Sequence, residues 1–238
     1  PLSPEESMKL IQVPVDFELE LFASEPDIIN PMTMAWDERG RLFVVETVDY
    51  PNEVRTEGTG KDRIKILEDT DGDGKADKFT VFAENLNIPS SMVFTNGGMI
   101  ISMAPNFLFL KDTDGDDKAD VKEVIMSGWS QNDTHAGPSN LKYGLDNKIW
   151  GVMGYAGFNG VVSGKPISFS QGIYRFDPDG ENLEYLGQTS NNTWGLGFTE
   201  DFDVFISTAN GQHSAYLAMP NQYLKRPVIG GSSNAVHG

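Results

Sequence analysis

The sequence predicts an all-β chain: a β-propeller of four-stranded blades, about four of them present, with one short N-terminal helix. Three observations predict it. Strand–turn–strand units recur along the chain, their residues alternate apolar and polar, and turns rich in Asp and Gly separate them. Phe43, Ile100, Trp150 and Phe205 hold equivalent places and return at intervals of roughly 50–57 residues, near the repeat of a four-stranded blade.

The elements follow in order. Ser3-Pro4-Glu5-Glu6 opens a helix, with Ser as cap, Pro at the first position and Glu at the third, running to about Gln12. Residues 1–30 form a lead-in of helix and strand, and residues 31–238 form the blades. Met34–Val45, Met92–Ile101, Leu141–Trp150 and Gly197–Ile206 each read as strand, polar turn, strand. Between them lies a second kind of hairpin with an Asp-rich tip, as in Ile173–Leu183. Pro227–Gly238 is a Gly/Ser-rich run without a strand, so the expected ring is partial and continues beyond this chain; a closed four-bladed ring is the alternative. Trp36, Trp150 and Trp194 fall at repeated places and are expected to pack between blades.

Two of the acidic tips share one pattern. Asp69-Thr-Asp71-Gly-Asp73-Gly-Lys75-Ala-Asp77 is echoed by Asp112-Thr-Asp114-Gly-Asp116-Asp-Lys118-Ala-Asp120. Carboxylates alternating around a glycine suit Ca²⁺, which takes six to eight hard oxygens and needs a tightly curled loop to gather them. The expected metal positions are Asp69, Asp71, Asp73, Lys75 and Asp77, and Asp112, Asp114, Asp116, Lys118 and Asp120, for two ions. These are not EF-hands. The first loop has Thr80 where the twelfth position wants Glu, the second has Asp117 where the sixth wants Gly, and the flanks alternate as strands.

Composition narrows the function. A formal charge of −17 argues against nucleic acid and anionic membrane as partners. With no cysteine, disulfides, thiol catalysis and thiolate metal sites drop out, and the absence of Cys-x-x-Cys-His means that this chain carries no covalent haem. No apolar run is long enough to span a membrane, and no signal-peptide pattern opens the chain. Weak calcium loops go with millimolar calcium, so a processed periplasmic, cell-surface or secreted protein is expected.

Several segments together resemble a known family. They are Phe22-Ala-Ser-Glu-Pro26, Asn30-Pro-Met-Thr-Met-Ala-Trp-Asp37 with Gly40-Arg-Leu42, Arg63–Glu68 leading into the first acidic loop, His135, Leu141–Asn147 and Tyr223-Leu-Lys-Arg226. The chain resembles the β-propeller domains of bacterial membrane-bound dehydrogenases, also described as haem-binding-domain-associated. These are distant relatives of soluble quinoprotein glucose and sorbosone dehydrogenases. The resemblance implies that His135 acts as general base while hydride passes to a quinone (pyrroloquinoline quinone, PQQ), that Asn192 helps bind that quinone, and that further domains or protein partners accompany the propeller. It departs from the pattern where Tyr155 replaces a carboxylate and Asn191 replaces an arginine. Trp129, in the loop leading to His135, is expected to stack on a ligand, and His213 to line the same axial face.

Two functions compete: an oxidoreductase acting on sugars or related alcohols, and a non-catalytic propeller module that binds glycans or partner proteins. A hydrolase built on carboxylate pairs has little support, because calcium already claims the dense carboxylates.

Overall fold

The computed structural model describes residues 2–217. The run from Pro227, and with it Tyr223–Arg226, lies outside the described residues. Helix α1 (Pro4–Met8) has the expected reciprocal cap: the Glu6 amide donates to Ser3 Oγ at 3.2 Å and the Ser3 amide to Glu6 Oε2 at 2.9 Å. It stops short of Gln12 because none of its residues is buried, and so short a helix without packing is marginal. The lead-in strand is not formed either. No strand precedes Pro31, because residues 11–30 find no strand to pair with among the described residues.

Four antiparallel sheets follow. Blade 1 is β1 (Pro31–Trp36), β2 (Leu42–Glu46), β3 (Asp62–Glu68) and β4 (Lys78–Leu86), hydrogen-bonded in that order. Blade 2 repeats it with β5 (Ser91–Thr95), β6 (Gly98–Met103), β7 (Asn106–Lys111) and β8 (Val121–Ser127). Blade 3 uses β9 (Pro138–Tyr143) and β10 (Ile149–Met153), then an inserted hairpin, β11 (Phe158–Val162) and β12 (Lys165–Phe169), before β13 (Gly172–Phe176) and β14 (Glu184–Gly187). Blade 4 has β15 (Thr193–Phe198), β16 (Val204–Thr208) and the two-residue β17 (Ala215–Tyr216). The strand-turn-strand units read from the sequence are the first two strands of each blade.

The first strands β1, β5, β9 and β15 lie side by side, so the blades form an arc about one axis. Three apolar layers hold it. Phe43, Val45, Ile64 and Ile66 of blade 1 meet Met99, Ile101 and Leu110 of blade 2. Ile100, Phe107 and Met126 meet Leu141, Ile149, Tyr174 and Phe176. Trp150, Val152, Ile173 and Leu186 meet Leu196, Val204 and Ile206. Neighbours in one strand, such as Ile149 and Trp150, enter opposite layers because side chains alternate across a strand. That is why β2 and β10 are buried along their whole length.

Trp150 fits its expected place: Phe198 and Phe202 of blade 4 stand edge-on to it at 5.6 Å, Arg175 lies over its ring, and its indole N–H donates to Asp146 at 2.9 Å. Trp194 is half-buried near the axis. Trp36 does not pack between blades. It is 57% exposed, with Phe22 edge-on at 5.8 Å, because no sheet covers the outer face of blade 1 among the described residues.

One long loop is stiffened by buried charge. Residues 47–61 join β2 to β3, and two nearly inaccessible carboxylates organise them. Asp62 accepts from Thr47 Oγ1 and from the amides of Val48, Asp49 and Ile88 at 2.6–3.0 Å. Asp49 accepts from the Lys61 amide, Arg55 Nε and Asn87 Nδ2 at 2.6–3.0 Å. Burial pushes the Asp49 carboxyl up, but those three donors outweigh it and hold it below the usual carboxylate range.

Two outcomes follow from this packing. Trp150→Ala should cost about 3–5 kcal/mol in urea unfolding, as large buried aromatics do; a cost under ~1 kcal/mol would mean that the layer between blades 3 and 4 bears little load. Because the folded state holds Asp49 ionised, its contribution is present above the unfolded carboxyl pKa of about 4 and is lost as pH falls through the lower folded value. Asp49→Asn should therefore destabilise by roughly 1–3 kcal/mol at pH 7 and progressively less in acid. A gap that stays constant down to pH 2 would contradict this role.

Candidate functional site

Strand alternation sorts the loops onto two ends. Connections from first to second and third to fourth strands leave at one end; connections from second to third strands and from blade to blade leave at the other. Both acidic loops lie at the first end, at the tips of β3–β4 and β7–β8, as the sequence implied. His135, Asn192, Tyr155 and the stiffened loop 47–61 lie at the second, with His213 in the loop between β16 and β17.

At the second end, His135 and Asn192 come together. The 128–137 loop folds so that the His135 amide donates to Asp133 Oδ1 at 2.9 Å, and its ring Nδ1 stands 3.5 Å from the same oxygen. Tyr50 closes edge-on to the imidazole at 5.3 Å, and Thr134 Oγ1 donates to the Pro51 carbonyl at 2.7 Å, so loop 47–61 braces the histidine. Asn192 Nδ2 reaches the His135 carbonyl at 3.5 Å, while its Oδ1 is buried without a partner. The imidazole itself is 59% exposed and open to a ligand.

Gly154 makes this approach possible. A Cβ there would stand 2.1 Å from Asn192 Oδ1 and 2.7 Å from the Ala136 backbone. Tyr155, which stands where the resemblance implies a carboxylate, hydrogen-bonds Asn191 instead. The carboxylate beside His135 is Asp133, two residues upstream, a role that the sequence reading missed; the Asp-x-His spacing was visible, but Tyr50, 85 positions away, carried no local signal. Beside Asp133 a cavity of about 30 Å³, room for about one water, is lined by Met32, Tyr50, Ser90, Thr134, Ser139 and Trp194.

Trp129 is a correction. It is 1% exposed, stacks on Phe107 at 4.3 Å and 8°, and is wedged by Phe158 and Tyr174. Gly128, at φ +122, packs against the Asn159 carbonyl and lets the chain turn inward there. Trp129 thus anchors the β11–β12 hairpin and the start of the histidine loop, and offers no face to a ligand.

Among the described residues, this end offers PQQ no arginine free to pair with its carboxylates. A tricarboxylate quinone wants cationic forks. In loop 47–61, Arg55 is tied to Asp49 and Glu53, and beside it Arg63 is tied to Glu46. Neither is left to meet a ligand carboxylate, and the expected stacking indole is buried.

The acidic end is better suited to its expected ion. Carboxylate oxygens of Asp69, Asp71 and Asp77 lie within 4.8 Å of one another, as do those of Asp112, Asp114 and Asp116. Asp69 sits at the centre of its loop and accepts the amides of Gly72, Asp73 and Gly74. The Gly74 amide foremost holds its carboxyl below the usual range. At Asp112 burial pushes upward, but the amides of Gly115 and Asp117 prevail and the carboxyl is again held low. Both stay ionised, as a hard cation requires. Of the expected sets, Asp73 and Asp120 fall outside these two groups, and Lys75 and Lys118 have no carboxylate to add to them. Asp117, the residue that breaks the EF-hand pattern, turns its carboxylate to Arg41 instead. Arg41 pairs with it at 2.6 Å and with Asp37 at 2.8 Å, tying the second loop to blade 1.

Solved structures share this architecture at low identity. A gluconolactonase from Xanthomonas campestris is 15% identical over 80% of this chain and 58% of its own, with a TM-score of 0.54. The PQQ-bound form of an aldose sugar dehydrogenase from Streptomyces coelicolor is 14% identical over 87% and 66%, with a TM-score of 0.52. The PQQ domain of a pyranose dehydrogenase from Coprinopsis cinerea is 16% identical over 78% and 47%, with a TM-score of 0.51. The chain spans about half to two-thirds of their length, and the likeness concerns the fold. No curated protein matches. The family is nevertheless defined: over residues 3–237 the sequence fits one family pattern, and the chain belongs to the family described as Domain of unknown function (DUF7133).

Proposed function

We propose that this chain is part of an extracytoplasmic, calcium-braced propeller that binds a sugar or a sugar-derived alcohol or lactone at its histidine end. The observation that carries the reading is the exposed His135 ring, with Asp133 and Tyr50 against it and Asn192 on its backbone carbonyl, held by loop 47–61 and by the close approach at Gly154. Aromatic edges, amides and a carboxylate are the groups that recognise a polyhydroxylated ring. The solved propellers of the same fold, a lactonase and two sugar dehydrogenases by their names, point the same way.

In this reading the exposed imidazole of His135 would accept a hydroxyl proton, with the Asp133 carboxylate 3.5 Å from its Nδ1. The two-electron acceptor that an oxidation needs is not provided by the described residues. In the family resemblance, the membrane-bound and haem-associated setting would supply it from other domains or partners. The missing cationic fork equally favours a module that recognises glycans without chemistry.

Calcium in this reading is structural. Asp69, Asp71 and Asp77, and Asp112, Asp114 and Asp116, would hold one ion each; the ion would neutralise the loop carboxylates and add stability that grows as RT ln(1 + [Ca²⁺]/Kd).

Two measurements test the proposal. Millimolar Ca²⁺ should raise the melting temperature by several degrees over chelator, and Asp71→Ala with Asp114→Ala should abolish most of that rise; identical melting in calcium and chelator would remove the structural ion. Isothermal titration of the calcium-loaded protein with D-glucose and with glucono-δ-lactone should show saturable binding to at least one, weakened about tenfold or more in Asn192→Ala, and no binding of PQQ. Flat titrations with both sugars would sink the ligand reading.

A further inference from the structure

Among the described residues, only blade 3 inserts a hairpin, β11–β12, between its second and third strands. The base of this hairpin is locked to the segment that opens the histidine loop. The Asn159 amide donates to the Gly128 carbonyl at 2.9 Å, and the Ser130 amide to the Gly157 carbonyl at 3.0 Å. Glycine permits the approach: a Cβ on Gly128 would stand 2.7 Å from the Asn159 carbonyl oxygen, and one on Gly160 2.6 Å from that of Ser127. Phe169 braces the base from within, stacked on Phe158 at 5.4 Å and on Tyr185 at 4.7 Å. These contacts leave an open cleft of about 460 Å³, lined by Ser130, Asn132, Tyr155, Asn159, Ser168 and Ser170. That size lies within the roughly 300–1,000 Å³ of small-ligand sites.

Three features of the cleft point to one ligand chemistry. No charged side chain lines it, in a chain of formal charge −17, so it has no countercharge for an ionic ligand. The side-chain amides of Asn132 and Asn159 and the hydroxyl of Ser168 are exposed and make no hydrogen bond among the described residues, so they are free to donate and accept. Tyr155 presents a ring that is 50% exposed and is held by the bond from its hydroxyl to Asn191. Amides and hydroxyls beside a fixed aromatic ring suit a neutral polyhydroxylated ligand, which lays C–H groups on the ring and exchanges hydrogen bonds around it. The cleft is also close to His135. Asn132 and His135 are three residues apart in one loop, so their Cα atoms stand at most about 11 Å from each other.

We propose that this cleft is a second sugar subsite, and that the ligand is an oligosaccharide with one unit at His135 and the next against Asn159 and Ser168 of the hairpin. The inference rests on the sugar reading of the histidine end and adds the chain length that reading leaves open. A second unit enters a cleft already formed by backbone pairing and ring stacking, so its contacts cost little reordering of the protein. The inserted hairpin thereby sets a preference for sugar chains over free monosaccharides.

Isothermal titration of the full, calcium-loaded chain with D-glucose, glucono-δ-lactone, cellotriose and maltotriose tests this. At least one trisaccharide should bind about tenfold or more tighter than either single-ring ligand. Asn159→Ala combined with Ser168→Ala, both at exposed positions, should remove most of that gain while leaving the single-ring affinities and the melting temperature unchanged. Single-ring binding with no gain from either trisaccharide overturns the second subsite and leaves the sugar reading standing; flat titrations with all four overturn both. A gain that survives the double substitution also overturns the proposal, because the added unit then lies elsewhere.

Discussion

Each blade's sheet among the described residues is apolar on both faces, and everything else follows from the need to cover both. A sheet of this kind is stable only with a neighbour on each side, so the four sheets stack around an axis rather than pairing off as a sandwich. Burial of each Ile, Leu or Phe in the layers contributes on the order of 1.5–3 kcal/mol, far more than the exposed ion pairs between turns. The outer faces of blade 1, with Met34 and Trp36 exposed, and of blade 4, with Phe205 and Tyr216 exposed, are where this constraint is unmet among the described residues.

The stacking also fixes where chemistry can be. Because strands alternate direction, alternate connections gather at opposite ends of the arc. The short turns and curled acidic loops share one end, and the long loops share the other. At the acidic end, carboxylates converge, backbone amides hold them ionised, and the Asp117–Arg41–Asp37 chain ties the second loop to blade 1. At the histidine end, buried Asp49 and Asp62 make loop 47–61 rigid enough to hold Tyr50 against His135. The acidic loops and the histidine loop thus lie on separate surfaces, and the aromatic stack of Phe107, Trp129 and Phe158 ties the inserted hairpin of blade 3 to blade 2 between them.

Much of this was legible in the sequence, because the strands announce themselves by period-two alternation and the turns by Asp and Gly. The paired acidic loops were legible for the same reason: their chemistry is local. What was not legible was long-range. The sequence put Trp36 at a repeated strand place and Trp129 in a loop, yet the first lies open and the second is sealed among rings from two blades; only the stacking of sheets decides which. The expected lead-in strand failed as a strand because a ladder needs a partner, although its alternation was real. Asp133 escaped notice because the family resemblance placed a carboxylate near Tyr155, whereas the fold brings one from the histidine's own loop.

The chain has three histidines, so His135 can be followed by its ring resonances in an NMR titration. The account predicts that a sugar or lactone shifts the His135 ring signals saturably, and that Ca²⁺ added to the calcium-free protein stabilises the fold while leaving those signals nearly in place. A His135 signal that moves with Ca²⁺ and ignores every sugar would contradict the division of the molecule into a metal-holding end and a ligand-holding end.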